Sequence, residues 1–255
     1  MSATFSEQFS RRRFRFDRHR TARLHLPRRH QSARRHRPLR RQGRIARHRR
    51  IERAGKSTLV NHLNGWHLPQ SGSVRIGKLK VDKKAIEQIR KMVGLVFQNP
   101  DDQLFMARVY DDMLFGPSNL GMEEAASHAE AERLLRLFGL WELRDKAPAH
   151  LSQGQKRFAA LAAVLVMQPK LLVMDEPTSD LDPRNRRMLI GLLNNLATTK
   201  LTVSHDLDFI WETCERVCIM NSGKIVADGP AKEILSNREL LEANGLELPL
   251  RLQGS

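Results

Sequence analysis

The sequence predicts an α/β fold on a mostly parallel sheet, and three observations carry that prediction. Ala54-Gly55-Lys56-Ser57-Thr58-Leu59-Val60 reads as the second half of a phosphate-binding loop running into a helix. Two mostly apolar runs, Met92 to Phe97 and Leu171 to Met174, end on polar side chains: Gln98 in one case, the pair Asp175-Glu176 in the other. A further strand-like run, Leu201 to Ser204, ends in His205-Asp206. Strands buried on both faces of a parallel sheet give such runs, and open α/β sheets place their ligands where the strands end.

Charge divides the chain of 255 residues in two. The formal net charge is +16, from 44 Lys plus Arg against 28 Asp plus Glu. Residues 1–53 hold 19 Arg, no Lys and only three acids (Glu7, Asp17 and Glu52), so the whole excess lies there. The remaining 25 basic and 25 acidic residues of 54–255 cancel. A uniformly basic nucleic-acid-binding domain is excluded, and a neutral globular body of one or two domains is expected behind an arginine-rich leader. Cys214 and Cys218 are four apart and would share a helical face as two buried thiols; neither a metal site nor a disulfide-stapled secreted fold is indicated. The longest apolar run, Phe158 to Met167, is half of the roughly 20 residues that span a bilayer. Ser10-Arg11-Arg12-Arg13-Phe14 faintly resembles a twin-arginine export signal, but no apolar stretch follows it, so a cytosolic body is expected.

The body is read in order. Gly55 lets backbone N–H groups approach phosphates, Lys56 offers a positive charge to the β and γ phosphates, and the Ser57 hydroxyl suits Mg²⁺, above a helix N-terminus that adds its dipole. The full pattern G-x-x-x-x-G-K-[ST] needs a further glycine where Arg50 stands. Gly72 to Gly77 alternates like a short strand, and Lys83 to Lys91 reads as a polar linker or short helix. Glu123 to Leu140 is an amphipathic helix carrying Leu134, Leu135, Leu137 and Phe138. Leu151-Ser152-Gln153-Gly154-Gln155 opens the apolar helix Lys156 to Met167; its start is an anion site or simply an N-cap. Of the adjacent carboxylates at the next strand end, one can hold a hydrated Mg²⁺ and the other can polarise a water. Ser179-Asp180-Leu181-Asp182 is a tight acidic turn before a helix from Arg184 to Leu196.

In this order the six motifs resemble the ATP-binding subunit of ABC transporters over about residues 54–235. Val96-Phe97-Gln98-Asn99-Pro100-Asp101-Asp102-Gln103-Leu104-Phe105 is similar, more narrowly, to ATPases of energy-coupling-factor importers of cobalt, nickel or vitamins. The resemblance implies a P-loop fold with a mostly parallel RecA-like core over 54–240, a helical subdomain inserted at about 101–160, and a C-terminal tail at 241–255. It assigns Gly55, Lys56, Ser57 and Thr58 to ATP, and Ser57, Gln98 and Asp175 to Mg²⁺. Glu176 becomes the catalytic base and His205 the γ-phosphate contact, while Gln98 touches metal and attacking water. Ser152, Gly154 and Gln155 would act in trans on a second subunit's ATP, and Ser179, Asp180 and Asp182 would lie in the dimer-interface loop. Gln153 stands where the family usually has Gly. The implied partners are a second ATPase subunit, in a homodimer or heterodimer, and integral membrane transport subunits, which place the chain peripherally on the cytoplasmic face of the membrane.

Residues 1–53 do not fit this resemblance. The family begins with a small antiparallel sheet, an aromatic residue that stacks on adenine, and a buried strand feeding the phosphate loop; the leader contains no Val, Tyr or Trp and only two Ile. It is either a basic arm for nucleic acid or anionic lipid, or a stretch translated in the wrong frame. The genetic code favours the second. Moving the reading point one base forward through Arg50-Ile51-Glu52-Arg53 permits Gly-Ser-Asn-Gly, which completes the phosphate loop. The same shift through Gln42 to Arg49 permits Lys-Gly-Glu-Ser-Leu-Ala-Ile-Val, and through Leu24 to Arg29 it permits Tyr-Ile-Tyr-Pro-Asp-Gly. The expected function is an importer ATPase whose activity as printed is impaired. The rivals are a soluble ABC ATPase acting on nucleic acid and a non-catalytic pseudo-ATPase. Nucleic acid is disfavoured, because fewer than 100 residues separate Lys56 from Ser152 and only one set of motifs is present.

Overall fold

The computed structural model describes residues 56–254. The leader, Gly55, and the side chains of Lys56 and Ser57 lie outside the described residues. The chain runs through helix α1 (Lys56–Leu63), a short antiparallel pair of strands β1 (Arg75–Ile76) and β2 (Leu79–Lys80), and helix α2 (Ile86–Met92) into strand β3 (Val93–Val96). Helices α3 (Val109–Asn119), α4 (Glu124–Leu137) and α5 (Gln153–Leu165) follow. Next come β4 (Leu171–Asp175), α6 (Pro183–Asn195), β5 (Thr199–Val203) and α7 (Leu207–Thr213). The hairpin β6 (Arg216–Asn221) and β7 (Lys224–Pro230), then α8 (Ala231–Ser236) and α9 (Arg238–Glu242), complete the order.

Strands β3, β4 and β5 form the parallel sheet, in that order. Because strand side chains alternate between faces, β4 feeds two cores. Leu171 and Val173 pack with Val60 and Leu63 of α1, Ile89 of α2, and Val93. Leu172 and Met174 pack on the other face with Phe158, Leu161 and Leu165 of α5, in a core that also takes Met113, Leu134 and Leu135. Gly94 is where α5 closes on the sheet: a Cβ there would overlap Val164 and lie 2.9 Å from Pro169 Cγ. The stacked pair Phe138 and Phe158, 5.6 Å between centroids, joins the end of α4 to α5.

Several elements differ in extent from the sequence expectation, each for a local reason. The strand anticipated over 72–77 shrinks to two residues because the chain turns back at Gly77, whose φ is +59°. Residues 86–92 form a true helix that buries Ile89. Helix α4 stops at Leu137, short of Leu140. Gly139 adopts φ +68°, its N–H donates to Arg136 O, and the Leu140 N–H donates to Leu135 O at 2.7 Å. That pair of bonds is a Schellman ending, and it turns Leu140 into the core at 1% exposure. The two cysteines do not share a helix. Cys214 leaves α7 in an extended conformation and Cys218 sits exposed on β6, so the expected pair of buried thiols is corrected. The β6–β7 turn places Ser222 and Gly223 at φ +49° and +77°, the geometry of a two-residue hairpin.

Candidate active site at the strand ends

Sheet register determines where the polar residues emerge. Val96 pairs with Met174 and Asp175 pairs with Val203, so Gln98, Asp175-Glu176 and Ser204-His205 leave the sheet at one edge. Asp175 follows Leu171 and Val173 on the face that packs against α1. Helix α1, which opens on the Lys56-Ser57-Thr58 run, packs on that face through Val60 and Leu63.

Glu176 is the most constrained of these residues. Its backbone takes φ +46°, in the left-handed region, and its N–H donates to Val203 O at 2.8 Å. The residue is 8% exposed. Its Oε2 accepts from Ser204 Oγ at 3.1 Å and from the His205 backbone N–H at 3.2 Å, and lies 2.8 Å from His205 Nδ1. The His205 side chain is 72% exposed, so a buried carboxylate meets solvent through an open imidazole. Asp206 caps α7 by accepting from Phe209 N–H, and Arg186 of α6 grips both its oxygens at 3.0 and 3.2 Å. Burial works against the Asp206 carboxylate, but the bonds from Arg186 and Phe209 outweigh it and hold its pKa below the usual carboxylate range.

The remaining predicted residues fall into two groups. Gln98 is exposed beyond β3, and its carbonyl accepts from Arg157 Nη1 at 2.5 Å. The turn after Glu176 is closed by Ser179 N–H donating to Glu176 O at 3.1 Å, with Asp180 left-handed at φ +62°. Ser152 and Gln155 bond to each other across the first turn of α5 as a capping box: the Ser152 N–H donates to Gln155 Oε1, and Gln155 N–H to Ser152 Oγ. The N-cap alternative is thus the one seen in the single chain. Gly154 faces α6 closely, since a Cβ on it would lie 2.6 Å from Asn185 Nδ2. Asn185 in turn is held by Asp182, which caps α6. Among the described residues, Ser152 and Gln155 bond to each other and not to Glu176 or His205.

Sequence reasoning missed Lys156, Arg157 and Arg186. Arg157 is 3% exposed, and its guanidinium donates to the carbonyls of Phe97, Gln98 and Ser179. Lys156, at 9% exposure, reaches Asp101 at 2.6 Å. The available signal was two adjacent cations at the head of a helix whose next residues, Phe158 to Val166, are all apolar; such charges are rarely buried unless paired.

Among the described residues, no group of three or more His, Cys, Asp or Glu could hold a metal. Mg²⁺ needs no such group, since it takes one or two protein oxygens and keeps waters and substrate phosphates for the rest. Asp175 and the Gln98 amide are oxygen donors of the right hardness at the right edge.

A parallel sheet with acidic strand ends beside a helix opening on Lys-Ser-Thr defines a phosphate-loop ATPase. Comparison with known proteins narrows the class. Residues 54–179 match the ABC transporter family. A putative ABC transporter ATP-binding protein of Geobacter sulfurreducens is 48% identical over 201 residues, covering 79% of this chain and 81% of that protein. The energy-coupling factor transporter ATP-binding protein EcfA of Carboxydothermus hydrogenoformans is 46% identical over 200 residues, covering 77% and 74%. Among solved structures, cbiO1 of Clostridium perfringens, part of the ABC transporter complex cbiONQ, superposes with a TM-score of 0.65 at 36% identity, covering 78% of this chain and 81% of that one. The chain belongs to the ABC transporter ATP-binding family. It is an ATPase subunit of the importer-like kind to which EcfA and CbiO belong. No helix among the described residues is long and apolar enough to cross a membrane.

Proposed function

We propose that this chain supplies the hydrolytic step of a membrane importer, with Glu176 as the base. The observation that carries the proposal is the buried Glu176 carboxylate, held by Ser204 and His205 at the edge it shares with Gln98 and Asp175. Glu176 would take the proton of a water as that water's oxygen bonds to the γ-phosphorus and the bond to ADP breaks. Gln98 would orient the water, and His205 would contact the γ-phosphate through its exposed ring. Lys56, Ser57 and Thr58, with Gly55, would hold the phosphates. Mg²⁺, held by Asp175, Gln98 and Ser57, would neutralise phosphate charge. Most catalysis of this kind comes from positioning and charge.

Ser152, Gly154 and Gln155, together with Ser179, Asp180 and Asp182, would complete the ATP site of a second subunit, homologous or identical. Residues 101–160 would form the helical subdomain that meets integral membrane subunits at the cytoplasmic face, within a domain spanning 54–240 and followed by a tail. The cargo proposed is cobalt or nickel, or else a vitamin, by the resemblance of Asn99 to Phe105 to energy-coupling-factor importer ATPases.

We also infer that residues 1–53 are an out-of-frame stretch in place of a strand and the first half of the phosphate loop. The sheet supports this reading. Among the described residues β5 pairs on one edge only, with β4, and of its five positions only Val203 is buried. The shifted reading supplies an apolar strand ahead of Lys56. The test is direct: measure phosphate release by the printed chain and by a chain with one base restored near the Arg53–Ala54 junction. Turnover confined to the corrected chain is expected. Equal turnover by both would overturn the frame reading, and turnover by neither would overturn the hydrolase reading.

A further inference from the structure

Arg157 is the one deeply buried arginine among the described residues, and its position in the fold is specific. It lies on the second turn of α5, and its three hydrogen bonds go to two loops far apart in sequence. Nη1 donates to Phe97 O at 3.2 Å and Gln98 O at 2.5 Å, just past the end of β3. Nη2 donates to Ser179 O at 3.1 Å, in the turn that follows Glu176. All three acceptors are backbone carbonyls, so the contact fixes main chain and is indifferent to which side chains the loops carry. Burial pushes the guanidinium pKa down, with Asp180 opposing from nearby, yet the group stays charged because its ordinary value is so high.

Two neighbours on α5 reinforce one side of the contact. Lys156 Nζ meets Asp101 at 2.6 Å, and Ala160 O accepts from Gln103 Nε2 at 2.6 Å. Gln103 Oε1 in turn accepts from the Phe97 N–H. The 97–103 segment is thus tied to α5 at three points, and among the described residues Arg157 carries the tie on to the 176–180 turn.

The geometry points to Arg157 as a positioning residue that locks the Gln98 loop to the Ser179 turn, so that the two move as one body with the head of α5. A planar fork with donors on two sides can span both loops; a single ammonium cannot. The inference rests on the functional reading above for the meaning of Gln98 and Asp180, but the lock itself is a property of the chain alone.

The test compares Arg157→Met and Arg157→Lys with the parent full-length chain, by residue-resolved amide exchange without nucleotide. Reporters on one side are the amides of Phe97, Gln103 and Leu104, and on the other those of Ser179 and Leu181, all hydrogen-bonded in the parent. Helix α4 serves as the folding control. Both variants are expected to raise exchange at both reporter sets by tenfold or more while α4 stays within twofold. Arg157→Lys is the safer variant to fold, since it keeps a cation in the site. A folded variant in which either set keeps its parental protection would overturn the lock, as would exchange rising uniformly through α4 in Arg157→Lys. In a chain that turns over ATP, kcat is expected to fall at least tenfold with KM within threefold. Loss of binding alone would also overturn the role. Absence of turnover in the frame-corrected parent would count against the proposed function and leave the exchange result to decide the lock.

Discussion

His205 Nδ1 stands 2.8 Å from Glu176 Oε2, the two residues having left adjacent parallel strands at the same edge of the sheet. The contact joins a carboxylate at 8% exposure to a ring that is mostly open to solvent. Under the proposed function the carboxylate at the floor and the ring at the rim would both face the phosphoryl group from the same side, one toward its attacking water and the other toward its oxygens.

Replacing Glu176 by Gln tests the base. The amide oxygen can still accept from Ser204 Oγ and the His205 N–H, so the fold and nucleotide binding should survive. Turnover in the frame-corrected chain is expected to fall by roughly 10²- to 10⁴-fold, the usual contribution of a positioned general base, with ATP affinity within a few-fold. Phosphate release and equilibrium binding, measured side by side, check this; a variant as fast as its parent would remove Glu176 from the chemistry.

Asp206 should give the acid limb of stability. Its pKa is depressed in the folded chain, so its contribution is present above the unfolded value and disappears as pH falls through the folded one. Asp206→Asn should lower the urea midpoint at pH 7 by the equivalent of about 1 kcal/mol and narrow its difference from the parent below pH 4. Titrating the midpoint of both chains from pH 7 to pH 3 decides the matter, and a gap that is constant with pH would count against it.

Asp112 has the opposite sign. It is 6% exposed; Oδ1 accepts from the Phe105 and Met106 N–H groups while buried Oδ2 has no partner. Burial is the largest influence and raises its pKa despite those two bonds. Stability from this group is complete below the unfolded pKa and declines as pH rises through the folded one. Asp112→Asn should therefore stabilise the chain at pH 8 relative to its effect at pH 4, by about 0.5–1 kcal/mol. Chemical denaturation at the two pH values measures the difference, and a variant equally destabilised at both would refute it.

Gly94→Ala tests how closely α5 sits on the sheet. The added methyl would overlap Val164 and crowd Pro169, neither of which ends in a long flexible chain. Overpacking of this kind costs about 1–3 kcal/mol. A matching drop in the denaturation midpoint is expected, and an unchanged midpoint would mean that α5 shifts freely.

Local pattern made much of this legible. Gln98, Asp175, Glu176 and His205 announced themselves because each follows a short apolar run, and the parallel register then carried them to one edge. The capping residue Ser152 was legible because a cap acts on the turn directly after it. Arg157 was not, because its acceptors lie 59, 60 and 22 residues away and are carbonyls that every residue possesses. The end of α4 depended on Gly139 taking a left-handed conformation, and the separation of Cys214 from Cys218 on where α7 stops. Helical spacing is silent on both. The hairpin at Ser222-Gly223 had a turn signal in the sequence that was passed over.

The left-handed backbone of Glu176 has a consequence for how such a chain could be improved. A residue other than glycine held there costs on the order of 1–3 kcal/mol, and glycine would relieve most of it. Directed evolution for heat resistance alone would thus be rewarded for deleting Glu176. Asp180 and Ser222 are left-handed as well, so a thermostable variant picked without an ATPase screen is expected to draw on all three positions, and a change at 176 is the one expected to trade turnover for melting temperature.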